Sequence, residues 1–304
     1  MWGGNDRKEA VSAIRASYDM GATSIDTAPV YGQGLSEEIV GEAIKELPRD
    51  KVQILTKYGL KWDSAEGQFY FKSKNNEGRE IDIHKYAGRD SIIKECETSL
   101  KLLKTDYVDL YQIHWADPTT PIQESMEAVR LLIQQGKVRY AGVCNYTSDQ
   151  MIEAEETITL VCNQVPYSMV NRKIEEVLIP HCIANRKSIL AYSPMERGLL
   201  TGKIKPGHQF SEGDHRAGLK YFSKENLFQT NRFLESISHI AEDKGISLGQ
   251  LVLRWTAEKP GITIALAGAR NAEQAIQNAK AAEVKLSAEE MSYINSRLEE
   301  LVII

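Results

Sequence analysis

The sequence predicts an α/β fold in which parallel strands are joined by crossover helices, and two observations carry that prediction. Helical periods alternate with short β-rich runs along the whole chain, the pattern of parallel strands with helical connections. No low-complexity tract, linker or charge run interrupts the alternation, so one domain over 1–304 is the simplest organisation. At 304 residues the length suits two ordinary domains or one large α/β barrel.

Each element has its own signal. A first helix is expected over 6–20, with Val11, Ile14 and Tyr18 on one face and Gly21 as its stop, then strand SID at 24–26. Ser36 is expected to cap a helix, EEIVGEAIKEL, that Pro48 ends, and VQILT follows as a strand. Asp90 is expected to cap a helix carrying Ile92, Ile93, Cys96, Leu100 and Leu103 on one face, ahead of strand VDLYQI. Thr120, Pro121 and Gln123 form a helix start of capping-box type that runs to Gly136, ahead of VRYAGV.

A short helix over 149–156 leads to VCNQV and one over 174–184 to SILAY. Stretches over 230–244 and 247–258 lead to ITIALA, and two more helices close the chain. That makes seven strands, with none ahead of the first helix. The long connections, 58–89 and 193–229, both follow strands, and loops of that length are usually lids or binding loops.

A net charge of -5 gives no field to attract nucleic acid or an anionic membrane. No apolar run approaches the roughly 18 residues of a membrane span, and MWGGNDRKEA has no apolar core of a secretory signal, so a cytoplasmic protein is expected. Cys96, Cys144, Cys162 and Cys182 have no metal or redox spacing and read as reduced, packed thiols.

In a parallel barrel the carboxyl ends of the strands open on one face, where side chains are more often catalytic than structural. Here those ends carry Asp26, Lys57, His114, Asn145, Gln164, Tyr192 and the segment Gly268 to Arg270, with Tyr31 five residues beyond Asp26. Each alone has a structural explanation, such as a turn cap for Asp26 or mouth packing for Tyr31. Together on one face they suggest a site. A buried ammonium at Lys57 favours phenolate at Tyr31, and Asp26 keeps that ammonium charged, which makes Tyr31 a general acid. His114 can orient a substrate oxygen. No side chain is a good candidate to attack the carbon, so a nicotinamide hydride is the economical proposal.

IDTAPVYGQGLSEE, LTKYG, YQIHW, GVCNY, VCNQVPYS, AYSPMERGLLTGK and GARNAEQAIQNA, in that order, resemble the aldo-keto reductase signatures over essentially the whole chain. The resemblance implies a (β/α)8 TIM barrel and an NADPH-dependent reductase of a small carbonyl substrate, with a tetrad on Asp26, Tyr31, Lys57 and His114. It places Asn145 and Gln164 on the nicotinamide carboxamide, Tyr192 against its ring, and Ser193, Met195 and Gly198 along the pyrophosphate. Gly268 and Arg270 fall at the adenosine 2'-phosphate and Gln274 and Asn278 near adenine. Gln274 also fits a capping box with Asn271.

Two departures stand out. Cys144 occupies a position where the family commonly has Ser, exchanging a good hydroxyl donor for a weak thiol. The family's N-terminal hairpin and Gly-rich first strand are not visible, so a missing or shortened first strand and an open seam beside the strand of Asp26 are expected.

Other readings fit less well. YGQGLSEEIVG has Glu37 where a dinucleotide fingerprint needs its third Gly, RGLLTGKI lacks P-loop spacing, and no nucleophile elbow occurs. A metal-dependent hydrolase on Asp26, His114 and Asp117 lacks any paired-ligand motif. A cofactor-binding regulatory or sensing subunit on the reductase scaffold remains the alternative. The first long loop holds Trp62, Phe69, Tyr70, Phe71 and Tyr86 among Lys and Arg, equally suited to a moderately apolar or an anionic carbonyl compound.

Overall fold

The computed structural model describes residues 6–211 and 213–304, so the question of a first strand ahead of the first helix lies outside the described residues. In chain order the principal elements are α1 (Arg7–Asp19), β1 (Ser24–Asp26), α2 (Leu35–Ala43), β2 (Gln53–Tyr58), β3 (Leu60–Lys61), β4 (Gln68–Lys74) and β5 (Glu80–Lys85). They continue as α3 (Arg89–Leu103), β6 (Val108–Ile113), α4 (Ile122–Gln134), β7 (Val138–Cys144), α5 (Ser148–Glu155), β8 (Leu160–Pro166), α6 (Leu178–Ala184) and β9 (Ser188–Tyr192). The last five are α7 (Lys224–Asp243), α8 (Leu248–Glu258), β10 (Ile262–Leu266), α9 (Ala272–Ala279) and α10 (Ala288–Glu299). The described chain forms two compact units, the first made of 6–165, 181–188 and 269–276 and the second of 166–180, 189–211, 213–268 and 277–304.

In the first unit β1, β2, β6, β7 and β8 pair in that order, all parallel. Most of β2, β6 and β8 is buried on both faces, as strands covered by crossover helices are, and all of β6 from Val108 to Ile113 is buried. The parallel register aligns the carboxyl ends, pairing Asp26 with Leu55, Lys57 with Gln112 and Cys144 with Gln164. Near the start of β6, Arg49 and Arg139 lie 3.9 and 4.0 Å from the centroid of the Tyr107 ring, and both pair with Asp109 at 2.8 and 3.0 Å.

The connection expected as a loop over 58–89 folds into a small antiparallel sheet in the order β3-β5-β4. Its cause is visible in EIDIHK, which alternates Ile81 and Ile83 inward with polar residues, and in a turn that Gly78 closes with φ 81°. Leu60 and Ile83 pack with Ala28 and Val30 of the loop after β1, with Trp62, Tyr70, Ile81 and Trp115 around them. A carboxylate fastens each end of this flap. Glu95 accepts the Gly59 N–H at 3.1 Å, and Asp117 accepts the Ala87 N–H at 2.9 Å.

The second unit contains β9 parallel to β10 and the helices α7, α8 and α10. Trp255 of α8 is fully buried, stacks on Tyr167 at 5.9 Å and donates its indole N–H to Asn295 at 3.0 Å.

Several helix starts differ from expectation. Ser36 does not cap α2. Gly34 does, at φ 96°, while the Ser36 hydroxyl pairs with Thr27 at 2.8 Å. A Cβ at position 34 would also stand 2.9 Å from Leu102, so the site accepts only glycine without rearrangement. Asp90 lies in the first turn of α3 behind Gly88, and Thr120 donates its hydroxyl to Asp117 instead of capping α4. For Ser36 and Thr120 another side chain, Thr27 or Asp117, takes up the short polar group. The helix expected over 174–184 is regular only from Leu178, and that expected over 230–244 begins earlier, at Lys224 behind the Ser223 cap. Among the described residues no helix is long and apolar enough to cross a membrane.

Candidate active site

The carboxyl ends of β1, β2, β6, β7 and β8 bring five of the expected polar groups together within the first unit. Lys57 is fully buried, and its Nζ lies 2.7 Å from Asp26 Oδ2 and 2.9 Å from the Thr27 carbonyl oxygen. Burial pulls its pKa down. The negative charge of Asp26, aided by Tyr31, outweighs that and holds the ammonium above its ordinary range, charged at neutral pH.

The loop after β1 turns back so that the Tyr31 ring stands 5.2 Å from Lys57 Nζ and meets the His114 ring edge-on at 5.6 Å. Surrounding protein pushes the phenol above its ordinary pKa, and the pull of Lys57 does not offset this, so Tyr31 holds its proton. Sequence reasoning considered the ammonium and not the desolvation. With 38% of its surface exposed, Tyr31 feels that desolvation only in part. Burial, then Lys57, drive the His114 imidazole well below its ordinary range, so it is neutral and has one ring donor and one ring acceptor.

Gln164 and Asn145 stand at the same strand ends. The Gln164 amide donates to Asp26 Oδ1 at 2.7 Å, and its oxygen accepts a weak contact from Cys144 Sγ at 3.8 Å. Asn145 adopts left-handed backbone at φ 59° and donates its amide to the His114 carbonyl oxygen at 3.1 Å. The buried Cys144 thiol is pushed well above its ordinary pKa by desolvation and is inert as a nucleophile. Asp117, the third residue of the metal-site reading, accepts from the Ala87 and Thr119 N–H groups and the Thr119 and Thr120 hydroxyls.

One contact went unread in the sequence because no local pattern encodes it. At the flap's turn the Asn76 amide donates to the Gly32 carbonyl oxygen at 2.8 Å, latching the flap across the peptide next to Tyr31.

In the second unit, β9 ends at Tyr192 and the chain enters a run of left-handed residues: Ser193, Glu196, Arg197 and Gly198, with Met195 between them. Two N–H groups of the run are used within it, Glu196 donating to the Ser193 carbonyl oxygen at 2.8 Å and Gly198 to that of Met195 at 3.0 Å. The space beside Gly198 is open except for Arg216 Nη1 at 4.0 Å, and Arg216 is held by a fork to Asp214 at 2.7 and 3.0 Å. Gly268 is likewise open, and its carbonyl oxygen accepts the Asn278 amide at 3.1 Å. Arg270 and Gln274 belong to the first unit. Arg270 is exposed, and its N–H donates to Gln274 Oε1 at 3.0 Å, while Asn271 accepts the Gln274 N–H at 2.9 Å. Gln274 therefore holds the turn, the structural role foreseen for it, although its side chain returns to Arg270 and not to Asn271.

Asp26, the Tyr31 phenol and the neutral His114 imidazole thus lie around the charged Lys57, and known proteins are similar along essentially the whole chain. The aldo/keto reductase family model matches residues 1–299. Aldo-keto reductase YhdN of Bacillus subtilis (strain 168) is 39% identical, over 99% of this chain and 87% of its own length. The NADH-specific methylglyoxal reductase of Escherichia coli (strain K12) is 32% identical, over 99% and 91%. Among solved structures, the glycerol dehydrogenase AKR11B4 from Gluconobacter oxydans superposes with a TM-score of 0.89 at 34% identity, covering 100% of this chain and 89% of its own. An aldo/keto reductase from Klebsiella pneumoniae, in complex with NADP and acetate, gives 0.72 at 31% identity, over 97% and 88%. The strand and helix alternation and these likenesses give the (β/α)8-barrel fold class, seven of whose parallel strands fall among the described residues, and the chain belongs to the aldo/keto reductase family.

Proposed function

We propose that this chain reduces an aldehyde or ketone to an alcohol, reversibly, with a nicotinamide cofactor as hydride source and Tyr31 as general acid. The observation that carries the reading is the buried Lys57 ammonium, 2.7 Å from Asp26 and 5.2 Å from a protonated Tyr31 ring that meets neutral His114. The nicotinamide, when bound, supplies the hydride. Tyr31 delivers its proton to the carbonyl oxygen, and Lys57 stabilises the phenolate left behind. His114 donates to the same oxygen and orients it, and Asp26 keeps Lys57 in place and charged.

The residues fit the cofactor. Asn145 and Gln164 offer amides to a carboxamide, Tyr192 offers a ring face, and the turn with Ser193, Met195 and Gly198 offers an open approach beside Arg216 to a pyrophosphate. Gly268, Arg270, Gln274 and Asn278 are the groups for the adenosine end, with Arg270 for a 2'-phosphate and hence NADPH. The Klebsiella relative carries NADP, while the Escherichia coli relative is NADH-specific, and the reading assigns the preference in this chain to the exposed Arg270. A cytoplasmic location accords with the composition and the lack of a membrane-crossing helix among the described residues.

The test is a tryptophan-fluorescence titration with NADPH and NADH, followed by 340 nm absorbance with a panel of aldehydes. Tight NADPH binding with turnover is expected. Stoichiometric binding with negligible turnover on every aldehyde would overturn the reductase reading in favour of a regulatory subunit.

A further inference from the structure

We propose that Lys85 selects carbonyl substrates bearing a carboxylate remote from the reacting carbonyl; this rests on the reductase reading above and names its substrate class. The basis is a charged residue at an apolar position. Along β5, Ile81 and Ile83 point inward over Ala28 and Val30, and period-two alternation puts Lys85 on the same face. Its Nζ lies 4.4 Å from the Tyr70 ring centroid and 5.3 Å from that of Trp115, the residue after His114.

Of the other flap cations, Lys61 pairs with Asp63 at 3.0 Å and Arg79 with Glu77 at 3.1 Å, while Lys72 and Lys74 have no carboxylate partner among the described residues but, unlike Lys85, sit on no aromatic face there. Among the described residues no carboxylate comes within 4.0 Å of Lys85 Nζ, and its three donors have no acceptor. Two aromatic faces hold the ammonium in place without consuming its hydrogen-bonding capacity.

The space beside it can take a ligand. A groove of about 510 Å³ opens along Gln68, Lys85, Ala116, Thr120 and Gln150. Asp117 and Glu153 also line it. The Asp117 carboxylate is occupied by its four donors, and Glu153 accepts the Gln123 amide at 3.1 Å. The flap is latched to the Tyr31 loop by Asn76, and its inward face packs with Val30 and Trp115, the residues next to Tyr31 and His114 in sequence. A substrate with its carbonyl at Tyr31 and His114 can lie along the aromatic wall and set its anionic end against Lys85. Lysine, a point charge on a flexible stem, suits a carboxylate at variable distance.

The experiment compares kcat/KM for 4-formylbenzoate and 4-formylcinnamate with that for their methyl esters, in wild type, Lys85→Met and Lys85→Arg. The wild type should prefer the longer acid or both acids over the esters. Lys85→Met should lower kcat/KM on the acids about tenfold, the size of one lost charge-assisted contact, while leaving the esters within about twofold. Lys85→Arg should retain most of the preference, and added salt should reduce it. An equal fall on acids and esters in Lys85→Met would show that Lys85 only props the flap, and would overturn this inference while leaving the reductase reading intact. An unchanged acid-to-ester ratio would do the same. Turnover of none of the four compounds by a wild type that also fails on simple aldehydes would overturn both.

Discussion

Gln164 and Asp26, 138 residues apart in sequence, are joined by a 2.7 Å hydrogen bond from the glutamine amide to the carboxylate oxygen that Lys57 does not use. One side chain thus touches the acid behind Lys57 and stands where the nicotinamide carboxamide is proposed to bind. Gln164→Leu should therefore raise the cofactor Kd and lower kcat together, each by about tenfold for a lost hydrogen bond to a charged or closely fitted partner. Fluorescence titration and steady-state kinetics on the same preparation separate the two. A change in Kd alone would detach Gln164 from the proton-delivery group.

Tyr31→Phe removes a proton that is needed only in the transition state. Carbonyl reduction should fall by about 10²- to 10⁴-fold with cofactor affinity within about twofold of wild type. Comparable turnover by the variant would remove Tyr31 from the role of acid.

Asp26→Asn leaves the Lys57 ammonium fully buried without its counter-charge, at a cost of about 3–5 kcal/mol. Lys57→Met should cost less, because Asp26 is 18% exposed and keeps its bond from Gln164. The raised Lys57 pKa contributes stability that is fully present below the unfolded value of about 10.4 and lost only as pH rises through the folded value, so the wild type gains it throughout the neutral range. Urea melts at pH 7 check the order of the two variants.

Glu95 is pushed up to about 7, first by burial, against the pull of Lys61 and the bonds from Gly59 N–H and Ser91, with Asp63 adding to the rise. A raised carboxyl favours folding most when protonated. Its contribution is present below the unfolded value of about 4.3 and declines as pH rises through 7. Glu95→Gln should flatten the fall in Tm between pH 5 and 8, measured by calorimetry across that window.

Arg270→Ala should narrow the preference for NADPH over NADH without altering NADH affinity. Its guanidinium is exposed, and only its backbone N–H is used, by Gln274. Competitive titration of both cofactors reads the ratio, and an unaltered ratio would place the 2'-phosphate on another residue.

Much of this architecture was legible because strand ends are strongly punctuated. SID, VQILT and VDLYQI are short β-rich runs, and Asp26, Lys57 and His114 fall at or just beyond their ends, where parallel strands must align. Capping was not legible where another side chain competed: Ser36 and Thr120, expected at helix starts, are claimed by Thr27 and Asp117. The flap escaped notice even though EIDIHK alternates, because its partner strand QFYFKSK is interrupted by an irregularity between Phe69 and Phe71 and does not. The rise in the Tyr31 pKa depends on how tightly the loop folds down, which residue types alone do not specify.

The flap leaves the parallel sheet at Gly59 and returns at Ala87, each end clipped by one carboxylate, from Glu95 and Asp117. It is thus a cassette with two fixed sockets. A segment exchanged between those sockets has to bring apolar cover for Ala28 and Val30 and a latch for the Gly32 carbonyl.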